Sequence, residues 1–326
     1  MDEIEKVKAL GALKKNFQLD QGLERDLVSQ IVDENIRNNI DRFLGGYEVE
    51  SIFSSVFSAL PWVKLLHGLE QLQFPTLSKK SYQVPDFLML FADGQKNDHP
   101  ILVEVKSVNG EKKSLKLMRK QYDFCKAYSS VVNIPLFYAV FWRKWQILTL
   151  NSHELFDNES KVPKLGIFDA LKFDLASVVG DVYFPITENV YRRSTYNKDL
   201  VSDSVSHEKY GTLVSDELSL DNSQYWSIDL LESAVIDGYI KMKIIEKSRN
   251  GPLTETIEKN SGPYMFKLTT VIMKHLALAG LDFEEPNNVT SRIVIIELMK
   301  KLKIEHKFLA PDVEDETAKK LLSFLV

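Results

Sequence analysis

Residues 82–106 limit the fold of this chain more than any other stretch. They contain two apolar runs of strand length, residues 87–91 and residues 101–105, and the connector between them contains Asp93-Gly94 and ends in Pro100. Apolar runs joined by a connector of this composition are typical of two antiparallel strands. We therefore expect a β-hairpin here, and Asp86 lies directly before its first strand.

The second run ends in Glu104, Val105 and Lys106. Because side chains alternate between the two faces of a strand, Glu104 and Lys106 share a face, and Val105 points the other way into a core. The hairpin therefore brings Asp86, Glu104 and Lys106 together. Two carboxylates about 4 Å apart repel by roughly 4 kcal/mol at the effective dielectric near a protein surface. A cation between them would relieve this repulsion.

Mg²⁺ suits such a pair because it binds one or two carboxylates and takes its other ligands from water and phosphate oxygens. A lysine two residues after the glutamate can stabilise developing negative charge or help to position a metal-activated water. These residue types in this arrangement predict the hydrolysis of phosphodiester bonds.

The residues before the hairpin predict two helices and a strand. Apolar residues at helical spacing indicate one helix over residues 24–44, which Gly45-Gly46 ends. A second helix over residues 47–60 would carry Glu48 and Glu50 in its first turn, where the helix dipole favours acids. Residues 62–73 are interpreted as a first strand.

The residues after the hairpin predict a helix and two strands. An apolar face from Leu115 to Tyr128 indicates a helix with lysines crowding its start and middle, and residues 135–141 and 145–150 are typical strands. The order of elements is helix, three strands, helix and two strands. This order predicts an α/β unit with a mixed sheet.

Charge and composition limit the function. The chain has 326 residues, is 44% hydrophobic and has a net charge of −5 and a pI near 5.8. It is long enough for two domains, and any binding of nucleic acid must come from local basic patches. The candidates follow the hairpin or join the last two strands: Lys112, Lys113, Lys116, Arg119, Lys120, Arg143 and Lys144. The alternative for the first five is a solvated helix face. Trp142 and Trp145, which flank the last two, either stack on bases or pack in the core.

The N-terminal residues 1–15 are charged throughout, and no segment approaches the apolar length of a membrane span. Cys125 is the single cysteine, which excludes an internal disulfide and zinc sites built on several cysteines. We therefore expect a soluble cytoplasmic protein with no membrane partner. Cys125 is expected to be a small buried residue, and His67 a core or edge residue because it has no partner at ligand spacing.

The C-terminal half contains weaker patterns. Residues 196–223 are rich in Ser, Asp and Asn, which favours a long loop or linker. Helical patterns return from Trp226 and recur up to a last amphipathic segment near residues 316–326. We expect a mostly helical C-terminal region, which could join two copies in a homodimer or bind a partner protein.

The constellation of Asp86, Glu104 and Lys106, with an acidic helix before it and a helix carrying Gln121 after it, resembles the PD-(D/E)XK phosphodiesterase superfamily, which has the restriction-endonuclease-like fold. The resemblance implies that the two acids bind Mg²⁺, with Mn²⁺ as a substitute, and that Lys106 supports the attacking water or the transition state. It implies that Gln121 orients the nucleophile or contacts phosphate. Some members carry a tyrosine four residues later, where this chain has Cys125.

The resemblance also implies a metal ligand from the helix before the hairpin. Glu50 is the preferred candidate, and Glu48 is the alternative. With Asp86 and Glu104, the carbonyl of Val105 is a further candidate ligand.

The resemblance covers about residues 40–155 and implies a nuclease that acts on DNA, in defence against foreign DNA, mobile-element processing or repair. The alternatives are an inactive nuclease fold that binds nucleic acid or protein, an RNA-cleaving enzyme, or a nuclease regulated by a ligand. The expected organisation is an N-terminal helical segment, the nuclease core, an irregular region with a linker and a helical C-terminal domain, over residues 1–45, 46–157, 158–225 and 226–326.

Overall fold

The computed structural model describes residues 3–16, 20–70, 73–92, 97–156, 161–200, 205–279 and 285–307. These residues form two compact units. The first unit contains residues 3–58 and 62–178, and the second contains residues 59–61 and 179–307. Among the described helices, none has the length and apolar character needed to cross a membrane.

The described part of the first unit begins with α1 (Glu3–Asn16), α2 (Gln21–Ser29), α3 (Glu34–Asn38) and α4 (Ile40–Ser58). The prediction of a single helix over residues 24–44 is wrong. The Asp33 carboxylate accepts a hydrogen bond of 3.0 Å from the N–H of Ile36, so a new helix begins inside the predicted one.

Gly45-Gly46 do not end a helix, which is a second correction. They lie inside α4, which continues to Ser58. Each glycine in a helix interior costs about 1 kcal/mol relative to alanine. The helix continues because its following turns bury Phe53, Val56 and Phe57 against the core, and this burial outweighs that cost.

The remaining elements of the described first unit are mostly strands, with two α-helices among them. In chain order they are β1 (Val63–Gly68), β2 (Phe87–Ala92), β3 (Asp98–Val108), β4 (Ser114–Lys116), α5 (Arg119–Val132), β5 (Leu136–Trp142), β6 (Ile147–Ser152), β7 (Lys164–Gly166) and α6 (Ile167–Lys172). Five strands form one sheet in the order β1-β2-β3-β5-β6, in which only β3 and β5 run parallel. The predicted mixed sheet and its antiparallel hairpin are confirmed. The middle of the hairpin connector, residues 93–96, lies outside the described residues.

The predicted helix after the hairpin is shorter than expected. It begins only at Arg119, because Ser114–Lys116 form β4 and pair with β7 in a separate two-stranded ribbon. Leu115 and Leu117 are buried on either side of exposed Lys116, which is a strand alternation rather than a helical one. Lys112, Lys113 and Lys116 are therefore not on a helix.

Helices cover both faces of the sheet around β3. On one face, the ring centroids of Phe53 in α4 and Phe87 in β2 lie 5.3 Å apart. On the other face, Tyr122 and Cys125 of α5 pack in one buried cluster with Leu102 of β3. The interior position of β3 explains why its residues 101–105 are buried on both faces.

The second unit combines strands and helices. In chain order its elements are β8 (Tyr183–Ile186), β9 (Tyr191–Asn197), β10 (Ser206–His207), β11 (Gly211–Ser219), β12 (Trp226–Ser227), α7 (Leu230–Tyr239), β13 (Met242–Asn250), β14 (Leu253–Asn260), β15 (Tyr264–Lys267), α8 (Leu268–Ala279) and α9 (Glu285–Lys301). One sheet has the order β10-β11-β9-β14-β13 with β12 beside β11, and β8 pairs with β15. The helices from Trp226 onward are confirmed in part. The segment near residues 316–326 lies outside the described residues.

Two expectations for this region are wrong: residues 158–225 are not irregular throughout, and the C-terminal region is not mostly helical. Strands were missed because the buried face of the sheet is polar. Arg192 and Ser194 of β9 are buried there, and Asp216 of β11 accepts hydrogen bonds from both. Buried charged residues remove the apolar alternation by which strands are recognised.

Candidate active site

A cleft of about 870 Å³ lies in the first unit, against α4, the start of β2, the end of β3 and the start of α5. The sequence-predicted catalytic and metal-binding residues all line it: Glu50, Asp86, Glu104, Val105, Lys106 and Gln121. They come from four elements and from positions up to 71 residues apart in the chain, as Glu50 and Gln121 show. The fold therefore brings the whole predicted set to one place.

The unequal lengths of β2 and β3 place Asp86 in the cleft. Phe87, the first residue of β2, pairs with Val103, so β3 continues beyond the point where β2 begins. The N–H of Val105 has no partner on β2 and donates instead to Oδ2 of Asp86, at 2.8 Å. The Asp86 side chain therefore continues the hydrogen bonding of the sheet where the strand itself is absent.

Glu104 lies at the floor of the cleft with only 1% of its surface exposed. Its Oε1 accepts two hydrogen bonds, from Nζ of Lys106 at 2.5 Å and from Nε2 of Gln121 at 3.0 Å. Its Oε2 is buried and has no hydrogen-bond partner in the described part of the chain. A buried carboxylate oxygen without a partner is unfavourable, so this atom is available to a ligand.

The charges of the site act strongly on one another. Burial raises the pKa of Asp86 well above its usual range, and the neighbouring charges of Glu104 and Glu50 raise it further, against the opposing charge of Lys106. Burial by itself would lower the pKa of Lys106, but the charges of Glu104 and Asp86 and the hydrogen bond to Glu104 outweigh it, so this pKa lies above its usual value. Lys106 therefore balances only part of the negative charge.

The two candidate helical acids differ in position. Glu50 lines the cleft and adds to the field that raises the pKa of Asp86. Glu48 is 57% exposed and forms an ion pair of 2.7 Å with Arg143. Glu50 is therefore the helical acid that can act on the cleft.

The site fits a metal that needs few protein ligands. Within the described residues, no group of three or more His, Cys, Asp and Glu side chains forms a preassembled metal cage. Mg²⁺ commonly binds through one or two carboxylates and keeps its other positions for water and phosphate. The unpartnered Oε2 of Glu104, together with the half-buried carboxylate of Asp86, provides the oxygen donors that such an ion requires.

The predicted nucleic-acid-binding residues separate into two groups. Lys112, Lys113 and Lys116 are exposed on the segment between β3 and α5, and Lys116 lines the cleft. Arg119 forms an ion pair of 2.9 Å with Asp123, and Lys120 lies over the ring of Phe124 at 5.3 Å. The structure thus brings only part of the predicted basic helix to the cleft.

The basic pair between β5 and β6 is engaged with acids. Arg143 lines the cleft and binds Glu48, and Lys144 pairs with Glu111. Trp142 is fully buried, and its ring N–H donates to Oγ1 of Thr149 at 3.1 Å. Stacking of Trp142 on bases is therefore wrong, and its alternative, core packing, is confirmed.

Two further predictions concern Cys125 and His67. Cys125 is fully buried one helical turn after Gln121, and burial raises the pKa of its thiol, which the charge of Glu104 raises further. The prediction of a small buried residue is confirmed. His67 is exposed on β1, at the edge of the sheet.

Among the cleft residues that sequence reasoning missed, Ser107 and Asn109 follow within three positions of Lys106. They precede Gly110, which has a φ of +62° and turns the chain toward β4. The sequence Ser-Val-Asn-Gly indicated this turn, because Asn and Gly favour left-handed turn positions. Nothing in it indicated that the turn lies beside the cleft.

No protein-family model matches this sequence, and no curated protein matches it. This chain is similar to a solved structure of the Holliday junction resolvase Hjc from the archaeal hyperthermophile Archaeoglobus fulgidus, with 14% sequence identity and a TM-score of 0.31. The match covers 42% of this chain and 96% of that chain. A similarity this low does not define the fold or the function of this chain.

Proposed function

We propose that this protein is a Mg²⁺-dependent nuclease that hydrolyses phosphodiester bonds, with DNA as its substrate and Mn²⁺ as a substitute metal. Glu104 is the observation that supports this most directly. Its buried Oε2 has no partner in the described residues, although it lies in a cleft beside Asp86 and Lys106. A cation bound at the cleft would remove the cost of this unpartnered charge.

The arrangement of elements also supports the restriction-endonuclease-like fold that the sequence resemblance implies. The sheet has a single parallel pair, β3 with β5, and lies between α4 and α5. The three residues that carry the resemblance, Asp86, Glu104 and Lys106, lie where β3 extends beyond β2.

In this proposal, Asp86 and Glu104 hold the metal and Glu50 adds negative charge to its surroundings. Val105 is a further candidate ligand, because the N–H and C=O of one residue point to the same side of an extended strand, and the N–H of Val105 points to Asp86. Bound Mg²⁺ supplies Lewis acidity, which polarises the phosphate and makes a water molecule a stronger nucleophile.

Lys106 and Gln121 have different roles. Lys106 is held by Glu104 as a fixed cation in the cleft, so it stabilises the negative charge that develops on the phosphate. Gln121 donates to the same oxygen of Glu104 and fixes the orientation of that carboxylate. It leaves Oε2 free for the metal.

Purified protein incubated with Mg²⁺ or Mn²⁺ and a panel of single-stranded, duplex and branched DNA and RNA tests this proposal. We expect the wild type to cut DNA, and Asp86→Asn, Glu104→Gln and Lys106→Met to lose activity by at least about 100-fold. Glu48→Gln serves as a matched control, because Glu48 is an acid of the same helix outside the cleft lining.

The proposal fails if the wild type cuts nothing with either metal, or if the three variants cut as well as the wild type. Binding of DNA without cleavage would indicate the inactive nuclease-fold module instead. Cleavage of RNA alone would keep the site assignment and change the substrate. Mn²⁺ binding to the wild type and to Glu104→Gln, measured by calorimetry, tests the metal site independently of activity.

A further inference from the structure

A second cavity of about 490 Å³ lies beside the cleft, and we call it the lysine cavity. Its lining includes four residues that also line the cleft: Ser107, Asn109, Leu115 and Lys116. Lys112 and Lys113 line the lysine cavity only. The two spaces therefore adjoin, which puts the lysine cavity within reach of a chain molecule bound in the cleft.

The lysine cavity is cationic. Lys112, Lys113 and Lys116 line it, and none of the described residues in its lining is acidic. Within the described part of the chain none of these three lysines forms an ion pair, whereas Arg119, Arg143 and Lys144 all do. In a chain with a net charge of −5, three unpaired lysines around one concave space mark a site for an anion.

The backbone that carries these lysines is fixed on both sides. The N–H of Ile167 donates to the carbonyl of Lys113 at 2.9 Å, and the N–H of Leu117 donates to the carbonyl of Pro163 at 3.0 Å. In the ribbon of β4 and β7, Lys116 lies opposite Lys164, which is also exposed. A supported segment holds its charges in place and loses less entropy on binding than a free tail does.

We propose that the lysine cavity binds a phosphate group of the nucleic acid that flanks the scissile phosphodiester. The inference rests on the proposed nuclease function. It defines the substrate as a chain that carries at least one phosphate beyond the bond that is cut. The flanking group is either an internal phosphodiester or a terminal phosphate, since both present the anionic oxygens that the lysines would bind.

Binding without cleavage provides the first test. A short fluorescent DNA strand is titrated in Ca²⁺ with the wild type and with the triple variant K112Q/K113Q/K116Q, at several salt concentrations. The matched control is K79Q/K80Q/K172Q, which removes the same charge from exposed lysines of the first unit that line neither cavity. Thermal unfolding checks that both variants fold, because single substitutions at exposed positions usually change stability little.

We expect the cavity variant to bind about tenfold or more weakly than the control. We also expect its salt dependence to be less steep by roughly 0.7 for each lost phosphate contact on a single strand. The flanking phosphate is located by replacing each phosphate in turn with a neutral methylphosphonate. At one position, the methylphosphonate should weaken binding to the wild type but should not weaken binding to the cavity variant any further. The inference is overturned if the two triple variants lose equal binding affinity, or if no phosphate position shows this dependence on the lysines.

Cleavage provides the second test and separates this inference from the proposed function. The ratio of kcat/KM for the DNA strand to kcat/KM for a small aryl phosphodiester should fall at least tenfold in the cavity variant. If the wild type cuts both substrates and the ratio does not change, the inference is wrong and the nuclease function stands. If the wild type cuts neither but one phosphate couples to the lysines, the nuclease function fails and the subsite stands. Strands with and without a terminal phosphate identify which source is bound.

Discussion

The carboxylate of Asp86 accepts a hydrogen bond of 2.8 Å from the N–H of Val105, and this bond joins the start of β2 to the part of β3 that β2 does not reach. One side chain thus completes the backbone hydrogen bonding of the sheet and also places a charge beside Glu104. The first role requires only an acceptor oxygen, whereas the second requires a negative charge. Substitutions can separate the two roles.

Asp86→Asn should stabilise the protein and inactivate it. Because burial and the charge of Glu104 raise the pKa of Asp86, its ionised form opposes folding at neutral pH. Asparagine keeps the acceptor for Val105 and removes the charge. We expect the free energy of unfolding to rise by about 1–2 kcal/mol in metal-free buffer at neutral pH. Denaturant titration measures this change.

The pH dependence and a second variant check the explanation. Because the pKa of Asp86 is raised in the folded state, the wild type loses stability as the pH rises and this carboxyl ionises. The stability advantage of Asp86→Asn should therefore vanish in acid, where the aspartic acid is protonated in both the folded and the unfolded state. Asp86→Ala removes the acceptor as well and should be less stable than Asp86→Asn by about 1–3 kcal/mol. Equal stability of the two variants would show that the bond to Val105 contributes nothing.

Divalent metal should stabilise the wild type through the cleft carboxylates. A ligand that binds only the folded state at 100 times its Kd adds about 2.7 kcal/mol to the free energy of unfolding. We expect Mg²⁺ and Mn²⁺ to raise the Tm of the wild type but not that of Glu104→Gln, which loses one of the two carboxylates. Thermal unfolding in chelator and in metal measures the difference. An equal rise in both proteins would place the metal elsewhere.

The two helical acids should respond differently to substitution. Glu50→Gln should weaken metal binding, because Glu50 lines the cleft and its charge acts on Asp86. Glu48→Gln removes an exposed ion pair with Arg143 and should change stability by less than about 1 kcal/mol without an effect on the metal. Calorimetric titration with Mn²⁺ compares the variants. If Glu48→Gln weakens binding more, the preference for Glu50 is wrong.

His153 should make the first unit sensitive to acid. It is 3% exposed, its ring stacks on Tyr122 at 3.9 Å, and neither ring nitrogen has a hydrogen-bond partner among the described residues. Burial, followed by the charge of Lys126, lowers the pKa of His153 to about 3. The unfolded chain therefore takes up this proton below about pH 6.5, whereas the folded chain does not. Stability is present above this pH and is lost as the pH falls toward 3.

His153→Phe isolates this effect, because phenylalanine keeps an aromatic ring beside Tyr122 and cannot be protonated. Relative to the wild type, its free energy of unfolding should rise by about 1.4 kcal/mol for each pH unit below 6.5, down to the folded pKa. Denaturant titrations of both proteins between pH 7 and pH 4 measure the difference. Parallel curves would show that His153 takes up its proton in the folded state.

The first unit could be predicted from sequence because its patterns are local. β2, β3 and the strand after α5 are visible in the sequence as apolar runs. The residues of the site lie at the ends of these runs. The preference for Glu50 over Glu48 came from the resemblance alone, because Gly45-Gly46 indicated a helix end and gave no correct position for the turns that follow. Only the continuous α4 shows which of the two acids is in the cleft.

The second unit could not be predicted because tertiary contacts determine its strands. Arg192 has the sequence character of a surface residue, but Asp216 and Ser233 bind its guanidinium in the interior. Residues 242–250 mix charged, polar and aliphatic residues without a clear period, and their pairing with β14 selects the strand. The partners of Arg192 are distant in the sequence, and residues 242–250 meet β14 only after the chain has turned. A local sequence pattern therefore cannot reveal these contacts.

If the proposed nuclease function is correct, the two glycines inside α4 favour activity at the expense of thermal stability. Gly45 and Gly46 line the cleft, and a methyl group added to either would meet no atom of another element within 4 Å. Alanine would therefore fit without a clash and strengthen the helix by about 1 kcal/mol at each position. The same methyl groups would occupy the cleft wall that a bound polymer approaches. A laboratory lineage selected only for melting temperature should acquire alanine at both sites and lose catalytic speed, whereas a lineage selected for speed should keep the glycines.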